Sequence, residues 1–400
     1  MRTAFTIGIS IIETLRAAGF ESYFAGGCVR DMIMNISPED YDIATAAPVS
    51  DIQRLFKRTV PVGVSFGVIL VIEEGIPFQV AAFRGESRTA EEDALKRDFT
   101  VNGLFYDHVK DRIIDFVGGK NDIAQRTIRA IGSPRDRFSD DYLRMLRAIR
   151  IAVTRGCTIN RHTFSILQEM APSIRLISIE RIRNELILLF SSRNLCGGLE
   201  LLLESRLFDF IFPEYCTFAK TELDFFESIA SQCTIWDLYI GFACFVFAME
   251  QTAFQSGNPF PPNALSLLKR LLLPADTQKA IMRIAARSIA FKTACETSVG
   301  TKKKWMQSTT FLWELAFHRA VLAASNKPAT SYEHLKQLYG SYSYTDLFPQ
   351  KLLSGEDLIR CGFKPDSRWS RLFEEMELLQ LDGILTTREQ AENWVNTFLA

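Results

Sequence analysis

Several things this sequence has little of narrow its function. Among 400 residues there are only four histidines, His108, His162, His318 and His334, and none has the spacing of a zinc site. The eight cysteines include no C-x-x-C pair and no regular spacing, which argues against a disulfide framework or a redox motif and for thiols in a reducing compartment. The formal net charge is −1, so no overall basic field attracts a polyanion, and any nucleic-acid partner must meet local patches. Long apolar runs are also missing. The most apolar stretch, Leu238 to Met249, is too short to span a bilayer. The amphipathic N-terminal segment MRTAFTIGISIIETLRAAGF, interrupted by Glu13 and Arg16, has neither the apolar centre nor the cleavage site of a signal peptide. A cytoplasmic protein without a membrane partner is expected. No fixed-period repeat is present, which excludes a solenoid.

What is there is ordinary in bulk, 47% apolar and 23% charged, and too long for one core. The first 138 residues mix strand and helix signals. A helix is expected near 5–18 and a short strand at Tyr23–Ala25. After Gly26-Gly27 a helix is expected over 28–34, then a strand over 40–45 and a helix begun by Pro48. FGVILVIEE (66–74) and IPFQVAAFR (76–84) form a predicted hairpin across Gly75, and further strands are expected near 103–107 and 112–116. From about Ser139 helical periodicity takes over, beginning with DDYLRMLRAIRIAVTR, HTFSILQEMA and SIERIRNELILLF. The fold class is therefore α+β, a mixed-sheet N-terminal region followed by helices.

Three short stretches carry chemistry. In FAGGCVRD, Gly26 and Gly27 allow close backbone approach, and Arg30 adds a fixed charge beside any bound phosphate. Downstream, Asp40 and Asp42 sit two residues apart, so on a strand they share a face and repel unless a cation lies between them. Mg²⁺ suits such a pair because it takes oxygen ligands and shares them with substrate phosphates. In KRDFTVNG (96–103), Arg97 can meet a phosphate and Asn102 a ribose hydroxyl, although on its own the segment reads better as an exposed charged turn before a helix.

The third stretch is DDYLRMLRAIR (140–150). Arg144, Arg147 and Arg150 recur every third residue, and on a helix Asp141 and Arg144 are neighbours. Cytosine and adenine both present an amine donor beside a ring-nitrogen acceptor. A carboxylate accepts from the amine and a guanidinium donates to the ring nitrogen, whereas uracil and guanine present the reverse pattern. By analogy with duplex readout, such a pair discriminates by roughly 1–3 kcal/mol per well-formed contact.

GGCVRD, DYDIAT, KRDFTVNG, RDRFSDDYLRMLRAIR and ERIRNEL (180–186), in this order, resemble the class II tRNA nucleotidyltransferase and bacterial poly(A) polymerase family over about residues 20–190. GEDLIRCGFKPDSR (355–368) and LDGILTTREQA (381–391) also resemble the tails of its bacterial members. The resemblance implies a polymerase-β-like nucleotidyltransferase head over 1–138, a helical neck with the base reader over 139–200, and an all-helical body and tail for tRNA over 201–400. It implies that Gly26, Gly27 and Arg30 hold the triphosphate and that Asp40 and Asp42 bind catalytic Mg²⁺. Arg97 and Asn102 would touch phosphate and ribose, with Asp98 supporting the turn. Asp141 and Arg144 would read the base, Arg147 and Arg150 would hold nucleotide and helix, and Glu180 and Arg183 would brace the neck. The implied activity is addition of C and A from CTP and ATP to a tRNA 3′ end. C-only or A-only addition, poly(A) synthesis and an inactive RNA-binding relative are the alternatives, and no DNA partner is expected.

The chain departs from the family pattern in three places. Asp140-Asp141 stands where Glu-Asp is usual, and Gln79 where a glutamate is usual. The segment between Arg84 and Arg97 is short, whereas members adding both C and A typically carry a longer loop there. For RNA, residues 269–304 offer a basic zone that includes Lys269, Arg270, Arg283, Arg287, Lys302, Lys303 and Lys304, suited to phosphate contacts that position without reading sequence.

Overall fold

Ile7, Ile11, Ile12 and Leu15 fall at helical spacing. In the structure, a computed structural model, they are the buried stripe of helix α1 (Ala4–Ala17), whose first turn is capped by the Thr3 hydroxyl accepting from the Thr6 N–H at 3.2 Å. The structure describes residues 2–63, 67–215, 220–360, 363–365 and 367–399. Phe66 of the expected hairpin and Cys361, Gly362 and Asp366 of the C-terminal motif lie outside the described residues. The chain divides into two units, Met1–Leu189 with Gly197–Pro213, and Phe190–Cys196 with Glu214–Ala400.

The first unit begins with a seven-stranded mixed sheet. In chain order come β1 (Ser22–Ala25), α2 (Gly27–Ile33), β2 (Ile43–Thr45), α3 (Val49–Leu55), β3 (Thr59–Gly63), β4 (Val68–Glu73), β5 (Ile76–Ala82), α4 (Ala90–Leu95), β6 (Leu104–Asp107), β7 (Arg112–Asp115) and α5 (Gly119–Ala124). The strand order is β3-β4-β5-β2-β1-β6-β7. All neighbours run antiparallel except β2 and β5, which are parallel with Ile43 opposite Val80. The expected hairpin is present: Glu73 pairs with Ile76 across Glu74 (φ 50°) and Gly75 (φ 82°), two left-handed residues whose turn matches the twist of the strands.

Alternation along the strands buries both faces of this sheet. Phe24 packs toward α1, where a Cβ on Gly8 would come within 2.7 Å of its ring. On the opposite face Tyr23, Ala25, Ala44 and Phe105 form a core with Phe83 and with Ala90 and Ala94 of α4. Burial of this kind contributes about 25 cal/mol per Å² of apolar surface, so each face needs its covering helix.

β2 is shorter than the expected strand over 40–45. Gly26 (φ 79°) turns the chain out of β1 into α2, and its N–H bonds to Leu104 O at 3.1 Å. The last rung is Ala25 N–H to Asp42 O at 2.9 Å, so β1 has nothing left to pair with residues 40 and 41.

The rest of this unit is helical apart from a short parallel pair, β8 (Thr127–Ile128) with β9 (Thr158–Ile159). Its helices are α6 (Pro134–Asp140), α7 (Leu143–Arg155), α8 (Arg161–Met170), α9 (Ile179–Phe190), α10 (Leu195–Glu204) and α11 (Leu207–Ile211), with the ends of α9 and α10 reaching into the second unit. Leu143, Met145, Leu146, Ile149 and Ala152 make the buried side of α7, which Gly156 ends in a left-handed cap.

The second unit is helical throughout its described residues: α12 (Lys220–Gln232), α13 (Leu238–Met249), α14 (Gln251–Gln255), α15 (Pro262–Arg270), α16 (Ala275–Ala290), α17 (Val299–Met306), α18 (Phe311–Ala324), α19 (Thr330–Ser341), α20 (Tyr344–Leu347), α21 (Gly355–Arg360), α22 (Trp369–Leu381) and α23 (Arg388–Leu399). The apolar run that was too short for a bilayer is α13, buried continuously from Ile240 to Ala248. No helix among the described residues is long and apolar enough to cross a membrane. His318 of α18 is fully buried, its Nδ1 2.9 Å from Ser288 O and its Nε2 2.8 Å from Ser331 Oγ.

Candidate active site

Gly26 is glycine for two reasons, its left-handed φ and its neighbour: a Cβ there would lie 2.9 Å from Arg97 Nη1. Gly27 opens α2, and a Cβ on it would sit 3.6 Å from Arg30 Nη2. Arg30 is buried and directed back across the turn. It donates from Nε to Asp31 Oδ1 at 2.8 Å and from Nη1 to Asn102 Oδ1 at 2.8 Å. Burial lowers its pKa from the ordinary value, with Asp31 acting in the opposite sense.

From Arg30 a continuous chain of paired groups runs in both directions. On one side Asp31 accepts two bonds from Arg155 at the end of α7, at 2.8 and 2.9 Å. On the other, Asn102 Nδ2 donates to Asp98 Oδ1 at 3.0 Å, and Asp98 Oδ2 accepts from Arg147 at 3.2 Å. Arg147 Nε then donates to Glu185 Oε1 at 3.2 Å, and Arg150 Nε to Glu185 Oε2 at 2.5 Å. Burial alone would raise the Asp98 pKa. The charge of Arg147, the Asn102 amide and the Phe99 N–H outweigh it and hold the carboxyl below its usual range. Arg147 is likewise held charged by Asp98 and Glu185 against its own burial. The predicted residues Gly26, Gly27, Arg30, Arg97, Asn102, Arg147 and Arg150 are thus brought together in one unit.

Asp40 and Asp42 differ in kind from these carboxylates. Asp40 is exposed, Asp42 is half-buried, and no hydrogen bond or ion pair holds either side chain among the described residues. The Asp42 carboxyl is pushed up to about 6, chiefly by burial and further by Asp40, against the lowering effect of Arg97. The charge of Asp42 and, above all, burial push the neighbouring Cys28 thiol up to about 12, so this cysteine is a packing residue. Arg97 comes close to Asp42 while bonded to Asp93 at 2.8 and 2.9 Å and to Asn102 O at 3.2 Å, its guanidinium stacked over Phe105. Gln79 is exposed on β5, one residue before the Val80–Ile43 pair and therefore level with Asp42. No group of three or more His, Cys, Asp or Glu that could hold a metal occurs among the described residues. The donor set is two like-charged carboxylates without a counter-charge of their own. That fits a hard divalent cation which completes its shell with water and phosphate oxygens.

The segment before Arg97 is ordered on its own helix. Thr89 caps α4, and the Glu92 carboxylate accepts from the Glu86 and Ser87 N–H groups at 3.0 and 2.8 Å. Gly85 is required there, since a Cβ would fall 2.1 Å from Glu92 Cδ.

Asp141 corrects one expectation. It does not lie on the helix with Arg144, because α6 ends at Asp140 and α7 starts at Leu143, and Asp141 is extended between them (φ −162°, ψ 103°). Its Oδ1 accepts from Leu143 N at 3.1 Å, a local turn bond just before α7, and its Oδ2 accepts from Arg181 of α9 at 2.7 Å. Arg144 donates to Arg137 O at 3.1 Å and lies 3.6 Å from Asp140. The Arg144 backbone N–H donates to Asp141 O at 3.1 Å, but the two side chains do not bond each other. Glu180 is exposed and Arg183 bonds Asn184, so the described brace from α9 is Glu185, together with Arg181. Both stand within ERIRNEL. Nothing in linear spacing distinguishes Glu185 from Glu180 until the helix places it against Arg147 and Arg150.

In the second unit the basic zone divides. Lys269 and Lys304 are exposed, and Lys304 pairs with Glu377 at 2.7 Å. Lys303 lies over the Tyr342 ring. Arg270 is bound by Glu214 at 2.7 and 2.8 Å, Arg283 by Ser308, and Arg287 by Glu314 while stacked on Trp305. Lys302 is 6% exposed with Nζ 3.2 Å from His334 Nε2, so it is no part of a surface for phosphate.

Two family models match: the poly(A) polymerase head domain over residues 22–129, and a probable RNA- and SrmB-binding site of polymerase A over 156–218. The chain is 38% identical to a CCA-adding enzyme of Enterococcus faecalis over 214 residues, a segment covering 50% of this chain and 52% of that one. It is 27% identical to a CCA-adding enzyme of Streptococcus mutans across 97% of this chain and 95% of the other. Among solved structures, the CCA-adding enzyme of Bacillus stearothermophilus in complex with CTP has a similar fold, with a TM-score of 0.76 at 23% identity over 99% of both chains. That of Thermotoga maritima complexed with tRNA has a TM-score of 0.62 at 18% identity, covering 97% of this chain and 94% of that one.

Proposed function

We propose, from the premise that this chain belongs to the family of CCA-adding tRNA nucleotidyltransferases and bacterial poly(A) polymerases, that it adds C and A from CTP and ATP to the 3′ end of tRNA. The observation that carries this reading is the contrast within one unit between a glycine turn backed by paired arginines and two adjacent carboxylates that no side chain bonds. Relatives similar over nearly the whole chain bear the name CCA-adding enzyme, which favours the complete reaction over C-only, A-only or poly(A) addition.

In this reading residues 1–138 are the nucleotidyltransferase head, 139–200 the neck and 201–400 the body and tail. Gly26, Gly27 and Arg30 form the triphosphate cradle, Arg97 and Asn102 meet phosphate and ribose, and Asp141 with Arg144 reads the base edge. Arg147 and Arg150, tied to Glu185, keep that helix in register. Asp40 and Asp42 would hold Mg²⁺, which when bound offsets charge on the attacking 3′ oxygen and on the departing pyrophosphate. The two carboxylates also neutralise one another's repulsion only through that cation, so nucleotide and metal are expected to bind together. For the tRNA backbone, Lys269, Lys303 and Lys304 offer the more exposed part of the basic zone, while Arg270, Arg283 and Arg287 are engaged with Glu214, Ser308 and Glu314. The reading includes a cytoplasmic location, where tRNA and nucleotide pools are held.

The test uses the full chain with tRNA transcripts ending before C-C-A, before C-A and before A, each supplied with one labelled nucleotide at a time. Wild-type protein is expected to add CC, then C, then A, and to stop. Replacing Asp40 and Asp42 together by Ala should lower incorporation by at least about 10³-fold while RNA retention on a filter is kept. Long A tails on unrelated RNA, or undiminished incorporation by the double variant, would sink the proposal.

A further inference from the structure

Base discrimination by a carboxylate depends on which way its plane faces. A carboxylate has two oxygens with about four acceptor positions and no donor, and a free one rotates among several hydrogen-bond arrangements. Asp141 is fixed at both oxygens. The Leu143 N–H occupies one position on Oδ1 at 3.1 Å, and the Arg181 guanidinium occupies one on Oδ2 at 2.7 Å. The first bond is local, made two residues along the chain at the turn before α7. The second comes from a different helix, α9, 40 residues along the chain, and nothing in that turn requires it. The two donors take different oxygens and together pin the carboxylate plane, leaving about one acceptor position on each oxygen.

Arg144 is handled in the same way by other partners, Arg137 O and Asp140. Each member of the pair is therefore oriented from outside. The ion pair between Arg181 and Asp141 is partly exposed, with 48% and 22% of the side chains accessible, so its contribution to folding is small, and orientation is the role it can fill.

We infer that Arg181 is a positioning residue for nucleotide selection: by holding Asp141 Oδ2 it fixes the acceptor presented to the exocyclic amine of cytosine or adenine, and so sets the discrimination against uracil and guanine. This inference rests on the proposed reading of Asp141 as a base contact. Without Arg181 the carboxylate keeps one bond and can turn to accept the ring N–H of uracil or guanine. Both bases then gain a partner that the pinned carboxylate withholds.

The experiment measures kcat and KM for CTP, ATP, UTP and GTP on a tRNA transcript lacking its last two residues, with its one-C-extended form for ATP, using the full-length protein, R181A, R181K and D141A. R181A is expected to raise UTP and GTP incorporation relative to CTP and ATP about tenfold, equivalent to about 1.4 kcal/mol. KM for the correct nucleotides should rise while kcat at saturation stays within about twofold. R181K, which retains a donor but loses the planar fork, should recover part of the discrimination. Melting temperatures of R181A and R181K, measured alongside, are expected to match wild type closely. The inference is overturned if R181A discriminates as the wild type does, if it loses kcat equally for all four nucleotides, or if R181K behaves as R181A does. If D141A itself keeps full discrimination, the base-contact reading beneath the inference fails instead.

Discussion

Two sets of carboxylates lie in the same unit and are treated in opposite ways. Asp31, Asp98 and Glu185 are buried, and each is held by at least one arginine within 3.2 Å. Asp40 and Asp42 have no such partner, and the Asp42 carboxyl is pushed up to about 6. A folded chain rarely sets a partly buried carboxylate beside a like charge without a bonded partner, so Asp42 next to Asp40 marks a place prepared for something that is not protein. The paired set supplies architecture, and the unpaired set supplies a vacancy of charge.

The comparison breaks most visibly if the paired set is damaged. Glu185→Ala strands the half-buried Arg150 of α7 and leaves Arg147 with Asp98 alone, and should destabilise the protein by about 3 kcal/mol, as removing one partner from a buried ion pair does. Urea unfolding of the variant checks this. A loss under about 1 kcal/mol would mean that the chain from Asp31 to Glu185 adds little to stability.

A second test extends the contrast to the other unit, where a buried titratable group is kept neutral. Burial lowers the His318 pKa to about 4, below its ordinary value near 6.5. Between those values the unfolded chain binds the proton and the folded one does not, so stability is complete above about pH 6.5 and is lost as pH falls toward 4. The loss reaches about 3 kcal/mol at two to three pKa units of difference. His318→Gln should flatten that part of the stability-pH curve, measured as unfolding midpoint against pH.

The smallest expected effect sharpens the unpaired side. The folded-state pKa of Asp42 is raised, so its charge opposes folding above about pH 6 and not below the unfolded carboxyl range. In EDTA at pH 7.5, Asp42→Asn should therefore melt higher than wild type, by about 1–2 kcal/mol after allowing for solvent screening. Added Mg²⁺ should raise the wild-type melting point and leave the variant unmoved. A variant that melts lower in EDTA would show that the charge is compensated after all.

Much of this was legible in the sequence because it is local. The hairpin over 68–82 follows from β-rich runs meeting at Gly75, and the glycine turn before Arg30 follows from residue type alone. The features that were misread are tertiary. β2 begins only at Ile43 because Gly26 removes its neighbour's edge, a fact about pairing and not about residues 40–45 themselves. Asp141 continues the helical pattern of its surroundings, yet it sits extended between two helices and bonds the first residue of the second. Lys302 looks like its neighbours Lys303 and Lys304, and only its place on α17 turns it inward to His334. Glu185 and Arg181 were visible as letters in a motif, but their partners lie about 40 residues away.

Asp31 joins the glycine turn to the far end of α7, bonding Arg30 on one side and Arg155 on the other. With Asn102, Asp98 and Arg147 closing the other side, the glycine turn and α7 are held apart like the jaws of a calliper. In the proposed reading of these residues, a nucleoside triphosphate would be gauged along its length as well as at its edge. Sugars or linkers that lengthen it should be refused even when they carry the right base.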